Sequence, residues 1–218
     1  MDESMKLSPK TADAGLVIGI DFDNTIIQYG NLFFEAGVSL GVISGNSSCS
    51  KKKVREYLIG LGKEDYWTRI QGLVYGEYIQ KAKVMEGFFP FIHTCHEKGW
   101  DVFIISHKTY NSITGERFNL HTAASNWLEK KGIYGPDIQG VVKGVFFEET
   151  RLRKVCRINQ LGCDIMIDDL PDVLLHPDLS SEIFRILYDP DRTSELDPRY
   201  VTSRTWDQVH GIIERHYE

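Results

Sequence analysis

The segment GLVIGIDF at residues 15–22 constrains this chain more than any other. It is short, apolar and rich in β-branched residues, and it stops abruptly in Asp21, Asp23, Asn24 and Thr25. A run of this kind predicts a strand buried on both faces, as in a parallel sheet. Similar runs recur as DVFIIS at 101–106, GVFFE at 144–148, DIMID at 164–168 and FRILY at 184–188. Helical patterns lie between and after them at 90–98, 120–131, 150–161 and 205–216. Strands alternating with helices imply βαβ units. The expected fold class is therefore α/β, a Rossmann-like three-layer doubly wound parallel sheet.

Ligands in such sheets gather at the carboxyl ends of the strands. Three of the predicted strands end in suitable chemistry: Asp21 with Asp23, Ser106, and Asp168 with Asp169. The stretch 27–86 is too long for a simple crossover. Val54, Leu58 and Leu61 are spaced as one helix face, and 66–86 reads as further helix. This predicts a small, mainly helical cap inserted after the first strand, with residues 14–26 and 87–218 forming the core. Residues 1–13 read as a loose polar tail. Lys51–Lys53 reads as a solvated helix start, with a binding patch as the alternative. Tyr57, Tyr66, Trp67, Tyr75 and Tyr78 read as packing inside the cap, with closure over a substrate as the alternative.

The 218 residues carry 31 acidic and 25 basic side chains, a net charge of −6. That balance argues against a nucleic-acid partner. No apolar run approaches the roughly 20 residues that span a bilayer, and no apolar signal region is evident. The expectation is a soluble, cytoplasmic protein without a membrane partner, as a monomer or homodimer. Cys49, Cys95, Cys156 and Cys163 form no C-x-x-C pair, and Cys95 between His93 and His96 fits no zinc spacing. They read as four buried or half-buried free thiols in a reducing compartment.

Two carboxylates one residue apart, just past a buried strand, repel each other unless a cation intervenes. A divalent ion with oxygen ligands is the natural solution; a solvated turn is the alternative. A calcium loop of the EF-hand type needs Gly and Glu where this chain has Ile26 and Leu32. Asp168 and Asp169 add acids at a second strand end. Adjacent residues cannot point the same way, so one ligates and the other supports it. Ser106 offers a hydroxyl to an oxyanion, although serine is also a common strand terminator. Lys154 lies near the edge of the face formed by Leu152, Val155 and Ile158, with Arg151, Arg153 and Arg157 as competitors. His107 and Lys108 are either incidental loop residues or pocket lining.

In chain order DFDNT at 21–25, Ser106 after an apolar strand, Lys154, and IDDLPD at 167–172 resemble the four motifs of the haloacid dehalogenase-like (HAD) hydrolase superfamily. The resemblance spans about residues 15–190 and implies a magnesium-dependent phosphatase of the superfamily's phosphatase branch. Asp21 would be the nucleophile that forms an aspartyl-phosphate, and Asp23 the acid–base. Ser106 and Lys154, with Asn24, Thr25 and His107 nearby, would hold the phosphoryl oxygens. Magnesium (Mg2+) would sit on Asp21, the backbone carbonyl of Asp23, and Asp169, with Asp168 in support. An acid at position 23 favours phosphate esters or anhydrides, because an alkoxide leaving group needs a proton. The resemblance implies a small phosphorylated metabolite as substrate. A 5′-nucleotidase or phosphotransferase of the same superfamily is the alternative, and a non-catalytic binding module the third reading.

Overall fold

A computed structural model describes residues 15–45, 50–113, 115, 117–135 and 140–217. The tail predicted at 1–13 and Cys49 lie outside the described residues. The chain begins with strand β1 (Val17–Ile20), followed by β2 (Ile27–Gln28) and three helices: α1 (Leu32–Ser39), α2 (Lys51–Gly60) and α3 (Glu64–Tyr75). A 3₁₀ turn over Tyr78–Lys81 leads into β3 (Lys83–Val84). Next come α4 (Phe88–Glu97), β4 (Asp101–His107), α5 (Leu120–Lys130), β5 (Val142–Glu148) and α6 (Arg151–Gln160). The chain closes with β6 (Ile165–Asp168), α7 (Pro171–Leu174), β7 (Phe184–Tyr188), β8 (Val201–Ser203) and α8 (Trp206–Tyr217).

Six strands form one sheet in the order β5-β4-β1-β6-β7-β8. All of its pairings are parallel. This is the expected doubly wound α/β architecture, with β1 inside the sheet and the chain running outward on either side of it. Side chains alternate across the sheet. Ile18, Ile20, Ile165 and Ile167 join one core cluster, while Met166 joins the other with Ile105, Val155 and Leu187. Gly19 faces the second cluster, where a Cβ would come within 2.9 Å of Met166 Sδ. A larger residue there would wedge β1 away from its packing partners.

Several features depart from the sequence reading. Tyr57, expected to pack inside the cap, is half exposed. A sixth strand, β8, follows the five expected ones. The helix expected to run through 66–86 stops at Tyr75, because Gly76 abuts Phe118 and the chain turns. Beyond it β3 pairs antiparallel with β2, Ile27 opposite Val84. This ribbon draws together the two ends of the segment that carries α1–α3. Leu152 is half exposed, and the buried face of α6 is Lys154, Val155 and Ile158.

The inserted helices share the apolar cluster of one sheet face. Phe33 of α1 stacks on Trp67 of α3 at 5.4 Å, and both belong to the cluster that holds Ile20, Phe22 and Trp127. Burying each such side chain contributes about 1.5–3 kcal/mol. Among the described residues Cys95 and Cys163 are buried free thiols, pushed up to about 12 by burial, and Cys156 is exposed. No helix among the described residues is long and apolar enough to cross a membrane.

Candidate active site

The turn after β1 explains the DFDNT sequence. The Asp21 amide donates to the Ile167 carbonyl at 2.9 Å, which extends the β1–β6 ladder to the first acid. Phe22 then turns to the opposite side, where it meets Trp127 and Phe147 edge-on. That alternation leaves Asp21 and Asp23 on the open side. Asn24 has φ +61°, a left-handed conformation that Asn tolerates better than most residues. Its amide donates to Ile27 O at 3.1 Å and closes the turn.

Helix α6 supplies the cation. Thr150 caps it by accepting from the Arg153 amide, and the resulting phase turns Lys154 inward. Lys154 is 1% exposed. Its Nζ lies 2.5 Å from Asp21 Oδ1 and 2.6 Å from Asp168 Oδ2. The competing arginines are engaged elsewhere or exposed: Arg151 pairs with Asp172, Arg157 pairs with Glu148, and Arg153 is exposed. Burial pushes the Asp21 carboxyl well above the usual carboxylate range. Asp168, Asp169 and Asp23 add to that shift against the pull of Lys154. Burial works against the Lys154 ammonium, but Asp168 and Asp21 hold it above its ordinary value.

Asp23 belongs to a different network. Its Oδ2 accepts from Lys108 Nζ at 2.7 Å, and its Oδ1 accepts from the Tyr29 hydroxyl. Burial opposes its ionisation, yet Lys108 and the hydrogen bonds from Lys108 and Tyr29 hold the carboxyl below its usual value. Lys108 lies just beyond β4 and is 4% exposed, and Tyr29 follows β2. Tyr29 has no motif signal that sequence could have used. Lys51, read from the sequence as a solvated helix start, instead enters this site: its ammonium lies 5.3 Å from the Phe33 ring centroid and 5.7 Å from that of Tyr75. Aromatic faces hold it there by cation–π attraction.

The remaining predicted residues divide. Asp169 accepts from Asn24 Nδ2 at 2.9 Å. Burial, with Asp168 beside it, pushes its carboxyl up to about 7. Asp168 is fully buried, accepts the Leu170 amide on Oδ1 and faces Lys154 with Oδ2. Ser106 is buried, and its hydroxyl has no hydrogen-bond partner among the described residues. Buried polar atoms are usually satisfied, so a free hydroxyl beside Asp21 is an open donor. Asp21, Asp23, Asn24, Lys51, Ser106, His107, Lys108, Lys154 and Asp169 line one cavity of about 380 Å³. His107 is exposed at its edge, with Nε2 3.2 Å from the Glu149 carbonyl. Thr25 does not line that cavity: it is fully buried, and its hydroxyl has no hydrogen-bond partner among the described residues.

The donor set fits magnesium, which prefers hard oxygen ligands. Carboxylate oxygens of Asp21, Asp168 and Asp169 lie within 4.8 Å of one another. Among the described residues Lys154 is the cation in ion-pair contact with this group, so negative charge stays in excess. A divalent cation would relieve the crowding that drives Asp21 and Asp169 toward protonation. The Asp23 carboxylate is outside the three-acid group, engaged by Lys108 and Tyr29.

No protein-family model and no curated protein matches the chain. Solved structures do. A HAD-superfamily hydrolase from Geobacter sulfurreducens aligns over 95% of this chain and 100% of its own, with TM-score 0.57 and 11% identity. A haloacid dehalogenase-like family hydrolase from Streptococcus pneumoniae aligns over 91% and 98%, with TM-score 0.56 and 12% identity. The fold is that of the HAD hydrolases. A HAD-type protein of Bacillus subtilis, solved with bound magnesium, aligns over the same shares at TM-score 0.56 and 13% identity. The HAD-type fold places β1 inside the sheet, and the acids of this chain lie at its carboxyl end.

Proposed function

We propose that this chain is a magnesium-dependent phosphohydrolase acting on a small phosphorylated metabolite through an aspartyl-phosphate on Asp21. One observation carries the reading. Asp21 is buried at the end of β1, with the Lys154 ammonium 2.5 Å away and the unpartnered Ser106 hydroxyl lining the same cavity. A phosphoryl group placed there meets a carboxylate nucleophile and two donors to its oxygens.

The chemistry follows from the residues. A carboxylate oxygen of Asp21 attacks phosphorus, and the bond from phosphorus to the leaving oxygen breaks. Lys154 and Ser106 hold the equatorial oxygens as charge develops. Asp23, ionised at rest, takes the proton of the bound phosphate monoanion and passes it to the leaving oxygen; it then takes one from water, whose oxygen attacks phosphorus and frees Asp21, and that proton leaves with the inorganic phosphate. The network of Lys108 and Tyr29 keeps Asp23 ionised in the resting site, which suits the water-activating half. Magnesium would be held by Asp21, the Asp23 carbonyl and Asp169, with Asp168 behind them. It would supply charge neutralisation at the phosphoryl group. Helices α1–α3, tethered by the β2–β3 ribbon, serve as the cap that excludes water and large substrates.

The test is hydrolysis of phenyl phosphate with and without magnesium, by wild type and by Asp21→Asn. Turnover that needs magnesium and falls on the order of 10³-fold or more in the variant is expected. Full activity in Asp21→Asn would remove the assigned nucleophile. A panel of sugar phosphates and nucleoside monophosphates separates metabolite phosphatase from nucleotidase.

A further inference from the structure

Two cavities meet at the end of β1. The inner one holds Asp21, Ser106 and Lys154. The outer one, of about 720 Å³, is bounded by Tyr29, Asn31, Tyr188 and Asp189 among others. Asn24, Lys51 and Asp169 line both. Lys51 therefore stands where a substrate would pass from one to the other.

The setting of Lys51 asks for an anion. Its ammonium and that of Lys108 approach the same Tyr75 ring, at 5.7 and 4.7 Å from the centroid. Lys108 has its counter-ion in Asp23. Lys51 has no carboxylate at ion-pair distance among the described residues: burial works against its charge, the Tyr75 side chain is its hydrogen-bonding neighbour, and Asp23 and Asp169 act on it only at longer range. A partly buried cation gains most when a charged partner meets it. The transferred phosphoryl group has its own donors in Ser106 and Lys154. Asp23 has to stand at the leaving oxygen, and Lys51 lines both the cavity that holds Asp23 and the outer cavity, into which the leaving group would extend. An anion that reaches Lys51 is therefore carried by the leaving group.

We propose that Lys51 is a specificity-determining residue, selecting phosphate monoesters whose leaving group bears a second anionic group, a carboxylate or another phosphoryl group. This inference rests on the phosphohydrolase reading. It makes the first residue of α2, remote from the four motifs, a reader of substrate charge.

Matched aryl esters test it. Wild type is assayed with 4-carboxyphenyl phosphate, its neutral isostere 4-carbamoylphenyl phosphate, and 1,4-phenylene bisphosphate. We expect kcat/KM about tenfold or more higher for one or both anionic esters, as befits a charged hydrogen bond; which one leads identifies the second group. Lys51→Gln should bring the esters within about twofold of each other, mainly through KM, and Lys51→Arg should retain the preference. Turnover without preference in wild type, or a preference that survives Lys51→Gln, overturns the role of Lys51 and leaves the phosphohydrolase reading intact. A wild type inert to every ester overturns that reading instead. Calorimetry with magnesium and the non-hydrolysable 4-carboxybenzyl- and 4-carbamoylbenzylphosphonates then decides Lys51 alone. Tighter binding of the carboxylate that vanishes in Lys51→Gln supports its role, and equal binding overturns it.

Discussion

Asp21 and Asp23 lie two residues apart yet answer to different parts of the molecule. Asp21 is held by the sheet and by α6: its amide is tied to β6 and its carboxylate to Lys154. Asp23 is held by Lys108 just beyond β4 and by Tyr29 beyond β2, beside the inserted helices. The first is crowded by acids and pushed toward its neutral form; the second is surrounded by donors and kept ionised. One turn thus carries two electrostatic regimes, set by where the neighbours come from. Chemistry that asks one carboxylate to accept a divalent ion and a phosphoryl group, and the other to handle protons, needs such a division.

Removing the cation of the first regime should have the largest effect. Lys154→Met leaves Asp21 and Asp168 without their counter-charge and should cost about 3–5 kcal/mol, read by urea unfolding. Added magnesium should narrow the loss, because it binds the folded acids and not the unfolded chain. Equal stability of variant and wild type without magnesium would break the comparison. The same change at Lys108 should cost less, since Tyr29 still donates to Asp23.

Tyr29→Phe probes the second regime more gently. It keeps the ring against Phe33 and Tyr75 and removes a hydrogen bond to a carboxylate. Turnover of phenyl phosphate should fall by about ten- to a hundredfold, in line with about 1.5–3 kcal/mol for a charged hydrogen bond. An unchanged rate would show that Lys108 alone sets Asp23.

Asp189 serves as a comparison carboxylate outside both networks. Some burial opposes its charge, but the Thr193 and Ser194 amides hold its carboxyl below the usual value. A depressed folded-state pKa contributes stability above the unfolded value of about 3.9, and that stability is lost as pH falls through the folded value. Asp189→Asn should therefore cost about 1 kcal/mol at neutral pH. It should also flatten the decline in stability below about pH 4 in acid titrations followed by circular dichroism.

The same division governs what sequence could reveal. Apolar runs ending in polar residues are local, so β1 and β6 with their acids, and β4 with Ser106, were legible. β8 was not: it is three residues long with Val201 exposed, and it carries no run to recognise. The ribbon of β2 and β3 is shorter still, set by Ile27 meeting Val84 across the whole insertion. The choice of Lys154 over its arginine neighbours depended on helix phase, and expecting Leu152 inward misjudged that phase by part of a turn. Tyr29 and Lys51 owe their roles to packing between distant segments. No spacing rule marks a tyrosine six residues after an aspartate, and a run of three lysines looks like solvated surface.

The place of β1 in the sheet has a consequence for motion. It is hydrogen-bonded on both sides, to β4 and to β6, and the ladder continues to the amide of Asp21 itself. In hydrogen–deuterium exchange such amides open last, often only on global unfolding. The proposed nucleophile is therefore mounted where the slowest exchange in the chain is expected, on a support that local opening elsewhere should leave in place.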